Sequence, residues 1–83
     1  MPHYYFNIRN GSGFVEDEEG RDLADAAEAH AEAVKGIRSV LGEEAKQGHL
    51  DLRGRIEVAD EAGAHLFHVR FREAVALDDG DLA

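Results

Sequence analysis

A single long helical period constrains this chain more than any other feature. The positions Ala26, His30, Ala33, Val34, Ile37, Val40, Leu41 and Ala45 recur at three- and four-residue steps, which draws one stripe down about six turns. Glu28, Glu32, Lys35, Arg38, Glu43 and Lys46 fall mostly elsewhere around the helix. No second stripe exists to pack against the first, so the helix must find a sheet.

The ends of the helix are written in the same stretch. Asp25-Ala26-Ala27-Glu28 has capping-box spacing, which starts the helix at about Ala26. Gly48 suits the left-handed residue that follows a helix, and Lys46 in the last turn complements the helix dipole. Gly36 and Gly42 lie inside and weaken it by up to about 1 kcal/mol each relative to alanine.

Both flanks alternate with period two. Before the helix, Tyr4, Phe6 and Ile8 take one face and His3, Tyr5, Asn7 and Arg9 the other. Asn10-Gly11-Ser12-Gly13 is suited to a tight or bulged hairpin, after which Phe14-Val15 pairs back on the first strand. Glu16-Asp17-Glu18-Glu19-Gly20 reads as an exposed loop, with Leu23 anchoring it to the core. After the helix, Arg55-Ile56-Glu57-Val58, a turn at Asp60-Glu61-Ala62-Gly63 and the strand from His65 to Phe71 form a second hairpin.

The predicted fold is therefore α+β, a β-β-α-β-β two-layer sandwich with one sheet covered by a single long helix. The covered face carries Tyr4, Phe6, Ile8, Ile56, Val58, Phe67, Val69 and Phe71. Eighty-three residues make one domain, taken as 1–76, with 77–83 expected to be a flexible acidic tail.

Composition narrows the function classes. The absence of cysteine removes disulfides, thiolate nucleophiles and cysteine-held metal centres. No segment has the pattern of a signal peptide or the roughly 20 apolar residues of a membrane span, so the expectation is a cytoplasmic protein with no membrane partner. A net charge of −9 disfavours nucleic acid, whose binding draws on released counterions.

Candidate chemistry is sparse, and no catalytic, cofactor-binding or metal residue is assigned. His65 and His68 stand three apart on a strand, which directs them to opposite faces unless a bulge intervenes. His3 and His68 share the open face and meet only if their strands are neighbours, with a solvated histidine as the ordinary alternative. His30 on the helix stripe reads as a histidine bonded at the edge of the core. The acidic loop with Asp22 and Asp25 offers hard oxygen ligands, against a solvated face as the alternative, and matches no calcium-loop pattern. Gly11-Ser12-Gly13 joins antiparallel strands and does not open a helix, so it is no phosphate loop.

One arrangement departs from a uniform surface. Arg9, Arg53, Arg55, Arg70 and Arg72 belong to the strands or their flanks, whereas acids dominate the loop and tail. Tyr5, Asn7, Arg9, Leu66, His68 and Arg70 form a candidate interaction surface on the open face. It suits an acidic partner or a second copy, making a homodimer of a non-catalytic interaction module. The same aromatic and basic groups suit single-stranded RNA as the competing reading.

The start Met1-Pro2-His3-Tyr4-Tyr5-Phe6, the internal Asp17-Glu18-Glu19-Gly20 and the late Phe71-Arg72-Glu73-Ala74-Val75 together resemble a family of short, uncharacterised bacterial proteins classed as a domain of unknown function. The resemblance spans nearly the whole chain and implies no functional residues. The aromatic first strand, hairpin and alanine-rich helix are also similar to the N-terminal part of HicB-type antitoxins. That likeness implies a nucleic-acid-associated regulator, although Asp17-Glu18-Glu19-Gly20 lacks the two prolines of the HicB segment.

Overall fold

A computed structural model describes residues 1–11 and 13–76, so the expected tail at 77–83 lies outside the described residues. The strands are β1 (His3–Asn10), β2 (Gly13–Val15), β3 (Arg21–Asp22), β4 (Arg55–Ala59) and β5 (His65–Arg70), with helix α1 (Ala26–Lys46) between β3 and β4. A 3-10 turn, Phe71–Glu73, follows β5. The sheet is antiparallel in the order β2-β1-β4-β5, and β3 pairs with the start of β1. The two hairpins therefore join through β1 and β4, and β4 separates β1 from β5.

Local chemistry explains α1. Asp25 is extended, and its carboxylate accepts from the Glu28 N–H at 2.9 Å, satisfying one orphan donor of the first turn. At the other end Gly48 adopts φ +91°, the left-handed conformation that stops the helix.

The face that α1 buries is Ala29, Ala33, Ile37 and Leu41, a strict four-residue repeat flanked by half-buried Val34 and Val40. This rotates the stripe relative to the sequence reading, since Ala26, His30 and Ala45 are exposed. Alanine gives the pattern little contrast, so Ala26 and Ala29 are equally eligible on sequence. His30 is not a core-edge histidine bonded inward; its ring lies 6.0 Å from that of Phe67.

Against this stripe pack Ile56, Val58, Val69, Phe71, Tyr4 and Leu23, with Phe71, Ile37, Val58 and Val69 fully buried. The last strand ends at Arg70, one residue before the alternation suggests, because Phe71 enters the 3-10 turn and its N–H donates to the Gly54 carbonyl at 2.8 Å. A Cβ on Gly54 would stand 2.8 Å from the Phe71 ring, so a side chain there would displace the largest fully buried side chain. The Arg38 guanidinium ties α1 to this turn by donating to the Ala74 carbonyl at 2.7 Å.

The helix lies across β4, β5 and the 3-10 turn more than across β1. Phe6 and Ile8 are consequently only half buried and line a groove of about 350 Å³ with Gly36 and Ile56.

Candidate functional site

The segment expected to be an exposed acidic loop is one, with Glu16, Glu18 and Glu19 exposed, but Asp17 within it acts as a structural staple. Val15 pairs with Ile8 and Arg21 with Tyr4, so residues 16–20 of the returning chain stand opposite only residues 5–7 of β1. Asp17 bridges the mismatch. Its Oδ2 accepts from the Phe6 N–H at 3.0 Å, and its Oδ1 accepts from the Glu19 and Gly20 N–H groups at 3.2 and 3.1 Å. Its own N–H donates to Asn7 Oδ1 at 2.8 Å. Partial burial works against the Asp17 charge, but the backbone donors of Gly20, Phe6 and Glu19 together outweigh it and hold the carboxyl below its usual range.

Gly20 closes this loop at φ +66°, and an added Cβ would stand 2.6 Å from His3 Nε2 and 2.7 Å from the Tyr4 carbonyl. Only glycine fits there. His3 Nδ1 contacts Asp22 Oδ1 at 2.6 Å, and Nε2 contacts the Glu19 carbonyl at 2.7 Å. Two acceptors on one imidazole require both nitrogens to donate, which is the protonated form. The Asp22 carboxylate first, and the Glu19 carbonyl second, raise the pKa of His3.

His3 is thus committed to the loop and does not meet His68, because β4 intervenes between their strands. His65 and His68 do share a neighbourhood. The register between β4 and β5 slips at Val58/Ala59, so Ala59 pairs with His65, and the two imidazoles come within 5.9 Å. The bulge overturns the alternation that placed them on opposite faces. Among the described residues no group of three or more His, Cys, Asp or Glu is arranged to hold a metal ion.

The face opposite α1 is the candidate site, built of cross-strand rows. At one end Phe14, Arg9, Arg55 and Arg70 are successive partners across β2, β1, β4 and β5. The middle row is Asn7, Glu57 and His68, and Tyr5 pairs with Ala59 at the other end. Glu57 ties two arginines of the row together: its Oε2 accepts from Arg55 Nε at 2.8 Å and from Arg9 Nε at 3.2 Å, while Arg70 Nε donates to Glu73 at 3.4 Å. Arg55 first, then Arg9, outweigh burial and keep the Glu57 carboxyl below its usual range.

The Arg9 guanidinium also lies 4.6 Å from the centroid of the exposed Phe14 ring. The side chains of Arg9, Arg55 and Arg70 remain 51%, 44% and 62% exposed, so their pairing leaves them accessible to a ligand. At the rim Arg53 grips Asp51 through two nitrogens and holds its carboxyl down at about 2.

The other end of the same face is acidic. Glu16, Asp17, Glu18, Asp60 and Glu61 surround a groove of about 460 Å³ with Tyr5. Of the six residues singled out from sequence, Tyr5, Asn7, Arg9, His68 and Arg70 stand in these rows. Leu66 sits at the bulge, exposed, beside Pro2, His3 and Tyr4. Sequence reasoning misses the β4 members of the surface, Arg55 and Glu57, although their alternation with Ile56 and Val58 marks them for this face. Phe14 is legible from sequence only as a strand residue.

No described helix is long and apolar enough to cross a membrane. Residues 3–72 match the model of a domain of unknown function, DUF6894, and the chain belongs to that family. No curated protein and no solved structure gives a significant match.

Proposed function

We propose that this member of the DUF6894 family is a non-catalytic protein-interaction module whose binding surface is the uncovered face of its sheet. The observation that carries the reading is the cross-strand row of half-exposed Arg9, Arg55 and Arg70 with exposed Phe14 on a face that no described element of the chain covers. Arginine forks and aromatic rings are the side chains that anchor protein interfaces.

The carboxylate groove on the same face favours a protein partner over nucleic acid, since a polyanion laid across the rows would bring phosphates against Glu16, Glu18 and Glu61. An RNA-binding, antitoxin-like role would use Tyr5 and the arginines alone.

Photo-crosslinking separates these readings. A photoreactive amino acid placed at His68, exposed on the open face, is expected to yield protein adducts, whereas one at Ala31, exposed on the outer side of α1, is expected to yield none. Nucleotide-bearing adducts at position 68 would establish the antitoxin-like reading instead. Equal labelling at both positions, or none at either, would overturn the interaction-module reading.

A further inference from the structure

We infer that the partner of the uncovered face is a second copy of this chain, docked face to face about a two-fold axis that runs along the Asn7–Glu57–His68 row. The inference rests on the interaction-module reading and names the occupant.

The face is polarised along its strands. Its basic end is the row of Arg9, Arg55 and Arg70, and the lining of the groove at its acidic end includes five carboxylate residues and no lysine or arginine. The middle row of Asn7, Glu57 and His68 lies between them, perpendicular to the strands. Rotation by a half-turn about an axis along that row turns the face onto its copy and exchanges the ends. Arg9 and Arg55 of each copy then stand over the acidic groove of the other, and the contact is made twice.

The alternative axis, parallel to the strands, stacks arginine on arginine and acid on acid, which electrostatic repulsion forbids. Phe14 and Tyr5, at opposite ends on the β1 side, are brought toward one another by the same half-turn that pairs the charges. A different partner that engaged both ends would have to carry both signs of charge at the spacing of this face. A second copy carries them by construction, which is the condition for an isologous interface.

The dimensions set the strength. Four strands about 4.8 Å apart, paired over about five residues, give a patch on the order of 15–20 Å across. Two such patches bury less than the roughly 1,200 Å² of a standard interface, so the dimer is weak and sensitive to salt.

Analytical ultracentrifugation across a concentration series tests this. The wild type is expected to dimerise reversibly at low salt and to shift at least several-fold toward monomer at high salt. The double variant Arg9→Glu/Arg55→Glu and the groove variant Glu18→Lys/Glu61→Lys are each expected to be monomers. An equimolar mixture of the two is expected to restore dimer, because every swapped charge then faces its opposite. The groove variant touches neither Glu57 nor its ion pairs, so it remains decisive even if the arginine variant fails to fold.

A wild type that stays monomeric at millimolar concentration and low salt overturns the inference, as does a groove variant that dimerises like wild type. Should the wild type be monomeric while position 68 crosslinks to a different protein, the second-copy inference falls alone. Absence of both results removes the interaction-module reading as well.

Discussion

The two faces of the sheet are made by alternate residues of the same strands, yet they divide the work of the molecule. On the covered side of β4, Ile56 and Val58 are buried against α1, and nothing ionisable except the Tyr4 phenol is buried among the described residues. On the open side of the same strand, Glu57 accepts from Arg55 and from Arg9 of β1, in partial contact with water. Dry apolar contact stabilises by excluded surface, whereas exposed ion pairs contribute about 0–1 kcal/mol each. On the proposed reading, stability and recognition are carried by interleaved residues, and substitutions one position apart should have unlike consequences.

The comparison breaks most easily at Phe71, which is fully buried. Phe71→Ala should cost about 3–5 kcal/mol in urea unfolding, a large share of what a domain of this size possesses. A loss under about 1 kcal/mol would mean that the covered face is not the seat of stability. Asp17→Asn comes next, because an amide nitrogen would replace one oxygen and confront a backbone N–H as donor against donor. The expected loss is about 1–3 kcal/mol, with amide exchange at Phe6, Glu19 and Gly20 accelerated first.

The His3 staple adds a pH dependence of opposite sign to that of Asp17. The folded pKa of His3 is raised above 6.5, so its contribution is complete below that value and is lost as pH rises through the higher folded one. Asp17 is held below 3.8, so its contribution is complete above that value and lost as pH falls. Unfolding midpoints should thus decline with alkalinity in the wild type. His3→Gln should flatten that decline, and an unchanged slope would show that the Asp22 and Glu19 contacts do not discriminate the charged ring. Smallest of all, His68→Ala on the open face should leave stability within about 0.5 kcal/mol. A larger loss would sharpen the comparison against the division proposed, giving the open face a part in folding.

Much of the covered face is legible in the sequence because its signals are local. The caps of α1, the alternation of β4 and the turn before β5 each lie within a few residues, and Asp25, Gly48 and Gly63 stand where such positions require them. The phase of the helix stripe is less readable, since its first half is alanine on several sides. The order of strands is not readable at all, because pairing β1 with β4 is a contact between residues about fifty positions apart.

The candidate site suffers most from this. With β4 unplaced, Arg9 and Arg70 are the visible members of a row whose centre is Arg55. His65 is misplaced by a one-residue slip that leaves no mark on composition. Asp17-Glu18-Glu19-Gly20 looks like surface charge because acids are common here, and only the geometry separates the Asp17 carboxylate, which binds three backbone amides, from the exposed Glu18 beside it.

The interruption of the return strand by Asp17 also bears on what happens when many copies crowd together. A flat, unbroken outer strand templates endless addition of further chains. Here the partners of β1 on the hairpin side are fragments of three and two residues, and β5 at the opposite margin carries a slip in register. Among the described residues, the outer strands on the hairpin side are too short to offer a long row of unpaired amides, and the slip shortens the regular part of β5, so both margins disfavour growth by sheet extension, the route to fibres. Association through a face under a half-turn stops at two; association through an edge would not stop.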